Sequence, residues 1–472
     1  MTAADRIYAA STSEGEAASQ LADALARRIE DEIMSRHLAP GGALGSLRDL
    51  TERYSVGRSV AREAVGLLER RGLGRMRPGP CGGFILAKPQ PEAIGQELAD
   101  FFRANGLRLH QVMDAREAVD VMAARFAAAA RPTEADLARL DAASAVEDLS
   151  GQLSMRVEIA RLAAEPALML FVECLNSLTL DFRCADGWSV GERRPPSMVA
   201  AMHRALRAGD VDAAAAAATR AHQCLTAALS QAEEPSNPAS CRTPSATPLT
   251  GTRSAAIARA LAAEIVRRGS AGLRLGSESD LCERFNVSRL TLRQAIRRLQ
   301  DSGLVECRRG RGNGLLIRDR RVTGSIRLML AYLIGEKMDP MTAGTILFQM
   351  NRFIPALAVN RASPEQRREL ETALLRVESS DPFDRYDLLT LVHCVSRLAD
   401  SPIIDFFSRG LAAYEARFRP SLPEQLPAST QASYFGLVRR LLDQRSSGSR
   451  GLQQAKVESS ALMLDMSCSR PI

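Results

Sequence analysis

Two pairs of arginines, each spaced four residues apart, are the side chains of this sequence best suited to bind a nucleic acid. Arg58 and Arg62 form the first pair, and Arg289 and Arg293 form the second. Residues four apart lie on the same face of a helix, and a guanidinium group can donate two parallel hydrogen bonds to guanine or to a phosphate. A single arginine is usually only a solvated surface residue, so the pattern gains weight from the elements that position it.

Both pairs lie in basic blocks of an otherwise acidic chain. Residues 21–88 contain 12 Lys and Arg against 8 Asp and Glu, and residues 253–321 contain 16 against 7, while all 472 residues together carry only +7. Basicity concentrated in short segments is typical of proteins that contact nucleic acid.

The surroundings of the two pairs repeat along the chain. Residues 53–58 recur 231 positions later as 284–289, and residues 159–166 resemble 395–402 at a shift of 236. Between these copies, residues 233–252 are rich in Pro, Ser and Thr, which favours an extended solvated linker. The pattern predicts a tandem duplication in which a basic block is followed by a longer helical block.

The second basic block has the signals of three helices followed by a hairpin. A Gly-rich break at 269–276 ends the first helix, Ser277 can cap the second, and Ser288 can cap the third. Two short strands are expected between Val305 and Ile317, around an arginine- and glycine-rich tip. A helix-turn-helix followed by such a wing can place its third helix in the major groove.

At these residues the chain resembles the DNA-binding domain of the GntR family of transcriptional regulators. The similarity runs over residues 277–316 and recurs in the first copy over residues 46–64 and 82–85. By position, the resemblance implies DNA contacts at Arg48, Arg58, Arg62 and Gly79 in the first copy and at Arg289, Arg293 and Gly310 in the second. Further candidate DNA-binding residues beside these positions are Ser288, Thr291, Arg309 and Arg311.

The two copies depart from the family pattern in different places. Ser279 stands in the second copy where the first has Arg48, and Gly57 stands in the first copy where the second has Ser288. The wing tip of the first copy also has less charge. The second copy is therefore expected to contribute most of the affinity for DNA.

The helical blocks resemble the all-helical C-terminal domain of the FadR-like branch of the same family. The resemblance implies dimerisation and a small carboxylate-like effector, for which Arg116 and His222 are the candidate binding residues. Arg116 could equally form an ion pair with Asp120 one helical turn later, and the sequence leaves both interpretations open.

Family members of this branch often hold a metal through an Asp and two or three His, but the ligands are missing from this sequence. The resemblance places Arg156, Val199 and Val392 at expected histidine positions, so that His222 alone remains. His203 and His393 are better explained as packing or surface residues. We expect no metal and no other cofactor.

The whole sequence predicts a mainly α protein with two winged helix-turn-helix domains, each followed by an all-α bundle. Aromatic residues make up only 4% of the chain, whereas Ala, Leu and Arg recur throughout. The expected boundaries are a disordered segment at 1–20, winged helix-turn-helix domains at 21–88 and 253–321, helical domains at 90–232 and 322–465, and the linker at 233–252.

Nine cysteines without paired spacing, and no long apolar run, favour a cytoplasmic protein. We expect a sequence-specific regulator of the GntR type that binds operator DNA, as a homodimer or as a pseudo-dimer within one chain. A duplicated regulator that has become a scaffold is the alternative. An aminotransferase-like enzyme is disfavoured because only Lys337 and Lys456 follow residue 322.

Overall fold

The structure is a computed structural model that describes most of the chain between residues 21 and 443. The described residues are 21–22, 24–36, 38, 40–79, 82–87, 90–103, 106–144, 148–182, 196–231, 253–268, 273–301, 305–307, 314–317, 323–351, 353–379, 391, 394–418, 435–436, 438–440 and 442–443. The predicted disordered segment at 1–20 and the predicted linker at 233–252 lie outside these ranges.

The chain folds as two compact units, each built from both halves of the sequence. Unit one is drawn from Met1–Gly106 and Ala246–Met338, and unit two from Leu107–Ser245 and Asp339–Ile472. Unit one therefore contains both predicted winged helix-turn-helix domains, here called head one and head two, and unit two contains both helical blocks.

Head one consists of three helices and a two-stranded wing. Its elements are α1 at 24–35, α2 at Leu47–Tyr54, α3 at Arg58–Arg70, β1 at Gly74–Arg77 and β2 at Gly83–Leu86. The strands are antiparallel, with Gly74 opposite Leu86. The inward faces of the helices and of β2 share a core in which Ile29, Leu50, Leu68 and Phe84 are almost completely buried.

Head two repeats this order of elements. It contains α11 at Arg253–Arg268, β3 at Arg274–Gly276, α12 at Glu278–Phe285, α13 at Arg289–Asp301, β4 at Val305–Cys307 and β5 at Leu315–Ile317. The antiparallel strand order is β3-β5-β4. Leu261, Leu281, Leu292 and Leu315 lie in the common core. The winged helix-turn-helix fold expected from the sequence is confirmed in both heads.

One helix follows each head within unit one. These are α4 at Pro91–Arg103 and α14 at Thr323–Gly335, and α4 packs against both α14 and α11 of head two. Unit one is thus held together by the helix of the first copy lying on elements of the second. Its inward side is apolar, with Leu98, Phe101 and Phe102 buried.

Unit two is entirely helical in its described part. Its first half contains α5 at Leu109–Ala129, α6 at Glu134–Ser144, α7 at Leu149–Ala163, α8 at Pro166–Thr179, a 3-10 turn at Leu180–Phe182, α9 at Pro196–Ala208 and α10 at Val211–Gln231. Its second half contains α15 at Pro340–Asn351, α16 at Ile354–Arg361, α17 at Pro364–Ser379, α18 at 394–398 and α19 at Pro402–Phe418.

The two halves of unit two pack against each other. Helix α5 lies at the centre, in contact with α7, α8 and α10 of its own half and with α15 and α19 of the other. The rings of Phe171 and Phe407 stack across this boundary with centroids 3.9 Å apart. Arg361 bonds to Asp114, and the Gln111 side-chain amide lies 3.2 Å from the Asp400 carboxylate.

The structure confirms the mainly helical fold but differs from the sequence-based expectation at one strand, and the two copies differ from each other at one helix. Strand β3 lies inside the segment expected to be only a Gly-rich break. Helix α5 has 21 residues, whereas its counterpart is split into α15 and α16 with Pro355 in the first turn of the latter, because proline lacks the amide hydrogen of an interior helical residue. Within the described residues no helix is long and apolar enough to cross a membrane.

Candidate DNA-binding site

The helix-turn-helix of head one is fixed at both ends of its turn. The Ser46 hydroxyl accepts the Asp49 amide hydrogen, and the Asp49 carboxylate accepts the Ser46 amide hydrogen, so α2 begins at a capping box. The latter bond lowers the pKa of Asp49 below its usual value. Ser55 ends α2 in a left-handed conformation with φ 52°, and Gly57 starts α3 without a side-chain cap.

Three of the predicted contact residues of head one expose their guanidinium groups. Arg58 and Arg62 lie on the exposed face of α3, and the structure gives neither a hydrogen bond nor an ion pair to any described residue. Arg48 is also exposed but bonds to Glu52 at 2.8 Å. An exposed pair of this kind contributes little free energy, so Arg48 can exchange it for a phosphate.

Gly79 lies in the wing turn of head one, between β1 and β2. Its φ of 116° belongs to the region that glycine adopts far more easily than other residues. Its carbonyl accepts the Gly82 amide hydrogen at 2.9 Å, which closes the turn, and no atom fills the space where a Cβ would be. Such a turn lets backbone approach a partner closely.

Head two begins both helices of its motif with a serine cap. Ser277 and Asp280 form a capping box, in which the Ser277 amide lowers the pKa of Asp280. At α13 the Ser288 hydroxyl accepts the Thr291 amide hydrogen at 3.2 Å, and the two hydroxyl oxygens lie 2.9 Å apart. The turn passes through Asn286, whose φ is 47°.

The start of α13 borders an open cleft of about 520 Å³. Arg253, Ser288 and Thr291 line it, and Arg253 donates to the Asn286 carbonyl at 2.9 Å. The positive end of a helix dipole, two hydroxyls and a guanidinium favour the approach of a phosphate, while the Glu283 carboxylate, which also lines the cleft, opposes it. The aligned positions of head one, Gly57 and Val60, have no hydroxyl groups.

The two arginines of α13 differ in their surroundings. Arg289 is exposed, with no partner among the residues that the structure describes. Arg293 forms a two-pronged ion pair with Glu278 of α12, through Nε at 2.5 Å and Nη2 at 3.3 Å. The predicted residues Arg309, Gly310 and Arg311 of the second wing lie outside the described residues.

In both heads an ion pair connects the second helix to the first. Arg53 of head one bonds to Glu32 at 3.5 Å, and Arg284, its counterpart in head two, bonds to Glu264 at 2.6 Å. In both heads an arginine at the end of the second helix thus reaches the first helix. The exposed arginines of the third helix take no part in these contacts between the first two helices.

Two residues at this surface were missed from the sequence. Glu278 was not singled out because its contact with Arg293 spans 15 residues and depends on how two helices cross. The sequence did contain a signal, because the aligned residue of head one is Leu47 and the two heads therefore differ in charge at this position. Arg253 was missed because it is the first residue of its block and lacks an obvious motif.

In unit two, the candidate effector residues lie in a buried polar cluster. Arg116 is completely buried and donates to Thr179 at 3.0 Å and Asn176 at 3.1 Å. Burial lowers its pKa to about 10, so that it stays charged at neutral pH. His222 is 5% exposed, and its Nε2 lies 3.2 Å from the Thr226 hydroxyl and 4.0 Å from the Glu117 carboxylate.

Asp120 is shared between two buried guanidinium groups. Arg156, at a position where the family resemblance places a metal-binding histidine, bonds to Asp120 at 2.8 Å, whereas Arg116 lies 3.7 Å away. The adjoining cavity, lined by Asp120, Arg156, Met155 and Met202 among others, measures about 10 Å³, which suits one water molecule.

The histidine and acidic side chains offer no visible metal centre. Among the described residues no group of three His, Cys, Asp or Glu lies close enough to hold a metal ion. His203 instead lies 3.4 Å from Asp141. Val199 is part of α9, while Val392 and His393 lie outside the described residues.

Comparison with known proteins identifies the heads. The model of the bacterial regulatory proteins of the gntR family matches residues 21–80 and again residues 253–314. The chain is 33% identical over 108 residues to the HTH-type transcriptional regulator LutR of Bacillus subtilis, a match that covers 23% of this chain and 48% of LutR.

A second relative is the uncharacterized HTH-type transcriptional regulator Rv0494 of Mycobacterium tuberculosis, 34% identical over 113 residues, or 23% of this chain and 45% of that protein. The chain thus spans about half the length of the curated relatives it matches. Among solved structures, Streptococcus agalactiae GntR aligns over 46% of this chain and all of its own, at 17% identity and a TM-score of 0.29. The two matches to the gntR family model show that the chain carries two DNA-binding domains of the GntR type.

Proposed function

We propose that the protein is a sequence-specific transcriptional regulator that contacts operator DNA with both heads. The observation that carries the proposal is the exposed start of the third helix in each head. There Arg58, Arg62 and Arg289 present guanidinium groups without partners among the described residues, on a helix whose opposite face is buried. A helix with one buried face and exposed arginines fits the major groove, where arginine reads guanine.

The test is binding of the full-length protein to a random pool of duplexes, followed by mobility shifts on the selected sequence. We expect enrichment of one motif, and affinity for it that falls steeply with salt because phosphate contacts release counterions. A protein that binds no duplex, even at low salt, would instead be the scaffold derived from a regulator.

The pairing of the copies supports a second proposal, that one chain acts as a pseudo-dimer. Helix α4 of the first copy packs on α11 and α14 of the second, and in unit two the Phe171–Phe407 stack joins the two halves. A single chain then supplies two heads that family members obtain from two subunits. Light scattering should give a monomer; a stable tetramer would exclude the arrangement.

We further propose that an acidic small molecule acts on unit two through Arg116 and His222. What supports this is that two guanidinium groups, Arg116 and Arg156, share the carboxylate of Asp120, and that Nη1 of Arg116 lacks a hydrogen-bond acceptor among the described residues. A cavity of about 10 Å³ is too small for an organic acid, so binding requires the helices to separate. A panel of carboxylates should contain a compound that raises the melting temperature and changes DNA affinity, an effect that Arg116→Met would remove.

Metal is expected to be dispensable for this site, because the Arg156 guanidinium already neutralises Asp120. Elemental analysis of protein purified without a tag is the direct measurement. Zinc, nickel or manganese in a one-to-one ratio would show that the expectation is wrong.

A further inference from the structure

The ion pair between Glu278 and Arg293 joins the two helices of the DNA-binding motif of head two. Glu278 is the first residue of α12, and Arg293 lies one turn into α13. The Glu278 carboxylate accepts hydrogen bonds from Nε at 2.5 Å and from Nη2 at 3.3 Å, so it binds the side edge of the guanidinium group. Both side chains remain partly exposed, by 35% for Glu278 and 59% for Arg293.

This geometry determines which edge of the Arg293 guanidinium group faces away from Glu278. A guanidinium is planar and has five N–H donors in a fixed fork. When the Nε–Nη2 edge bonds to a carboxylate, the Nη1–Nη2 edge faces away from it. That second edge can donate two parallel hydrogen bonds to O6 and N7 of guanine, which is the most frequent specific contact in the major groove.

Head one provides the natural comparison within the same chain. Arg62 occupies the position of Arg293, but Leu47 occupies the position of Glu278 and has no acceptor to offer. Among the residues that the structure describes, Arg62 has neither a hydrogen bond nor an ion pair. The Arg62 side chain therefore keeps its rotamer freedom and must lose that entropy when it binds DNA. Arg293 has already lost part of this freedom through its ion pair with Glu278.

We propose that Glu278 is a positioning residue that orients Arg293 to read a guanine, which makes head two selective at a base where head one is permissive. The inference rests on the proposed DNA-binding function and adds to it a difference in specificity between the heads. The Glu278 carboxylate also neutralises one positive charge at the surface. It therefore lowers nonspecific attraction to phosphates while it increases selectivity for one base.

The experiment uses the full-length protein and the duplex selected by the wild type. Each guanine of that duplex is replaced in turn by 7-deazaguanine, which lacks the N7 acceptor, and the affinities are measured at one salt concentration. We expect the wild type to lose about tenfold at one guanine of the half-site of head two, because one of the two hydrogen bonds of the bidentate contact is removed. Glu278→Leu, which installs the residue of head one, should reduce this loss to about twofold.

Three further variants separate positioning from charge and from folding. Glu283→Gln removes one negative charge from the same helix and should leave the tenfold discrimination unchanged. Glu278→Leu should have no added effect on discrimination in an Arg293→Ala background. Leu47→Glu should create discrimination at a guanine of the other half-site, which a merely structural role of Glu278 would not predict. Circular dichroism checks that each variant is folded.

Three results would overturn the inference, and they are distinguishable. If the wild type binds a selected duplex but Glu278→Leu keeps the full discrimination at every guanine, the positioning role is wrong and the proposed function stands. If Glu283→Gln reduces discrimination as much as Glu278→Leu does, net charge explains the effect. If the wild type binds no duplex, the proposed function fails and the inference fails with it.

Discussion

Head one and head two have the same fold but differ in the residues that face a partner. Both bury the same three-helix core and both connect the second helix to the first through an arginine, Arg53 or Arg284. Their exposed surfaces diverge: α13 starts with Ser288, whereas α3 starts with Gly57. Burial therefore preserves the scaffold, whereas exposed positions are free to set affinity and selectivity.

The two halves of unit two, in contrast, differ in polar side chains within the helical bundle and not only at the surface. In the first half the buried Asp120 bonds to Arg156, whereas Asn351, which lies 231 positions later at the end of α15, accepts a hydrogen bond from the Ser408 hydroxyl at 3.2 Å. A charged cluster has thus been kept in one half, while a neutral hydrogen bond stands in the other. Four predictions test these differences.

The largest effect is expected from breaking the buried charge pair. Asp120→Ala leaves Arg156 and Arg116 without their carboxylate, and an uncompensated buried charge costs about 3–5 kcal/mol. Asn351→Ala, the matched change in the other half, should cost only about 1 kcal/mol because it removes one neutral hydrogen bond. Urea unfolding followed by circular dichroism gives both values, and equal losses would contradict the difference between the halves.

The second prediction compares the arginines of the two recognition helices. Arg289→Ala and Arg293→Ala should each weaken binding to the selected duplex by about 1–3 kcal/mol, and Arg58→Ala and Arg62→Ala by less. Head two has the more basic block and the hydroxyl-lined cleft at the start of its helix. Titrations of the four variants at fixed salt decide the order; larger losses in head one would reverse it.

The third prediction concerns Glu165, at the boundary between the halves of unit two. Partial burial, and then the charge of Asp339, raise the pKa of Glu165 to about 7. The folded protein therefore retains this proton where the unfolded chain, with a pKa near its usual value, has lost it. The stability that the protonated form contributes should be complete below about pH 4.5 and should fall as pH rises through about 7.

Because Glu165 is only half-buried, solvent screening limits the effect to at most about 1 kcal/mol. Glu165→Gln should remove this part of the pH dependence, and so should Glu165→Ser, which copies Ser401 at the corresponding position of the second half. Unfolding curves at pH 5.5 and pH 8 provide the measurement. Identical pH dependence in wild type and variants would show that Glu165 does not titrate in this range.

The smallest effect is expected from restoring an arginine to head two. Ser279→Arg copies Arg48 of head one and should tighten binding a few-fold, with a salt slope steeper by about one unit for one added phosphate contact. Arg48→Ala should change the slope by the same amount in the other direction. An unchanged slope in both variants would mean that this position does not reach the DNA backbone.

The sequence alone was sufficient to predict the local elements of the heads. The serine caps, the turns and the wing strands β4 and β5 follow from residues close together in the chain, and these are local preferences of backbone and side chains. The arginine faces of α3 and α13 follow from helical periodicity in the same way. The mainly helical fold was likewise predictable from composition.

The contacts between side chains that are distant in the sequence depend on the tertiary structure. Strand β3 has three residues and forms because β5 lies beside it, about 40 residues further along the chain. The partners of Arg293 and Asp120 could not be read from the sequence either, because Glu278 and Arg156 reach them from other helices. Such contacts depend on the crossing of packed helices, which the spacing of residues within one helix does not determine.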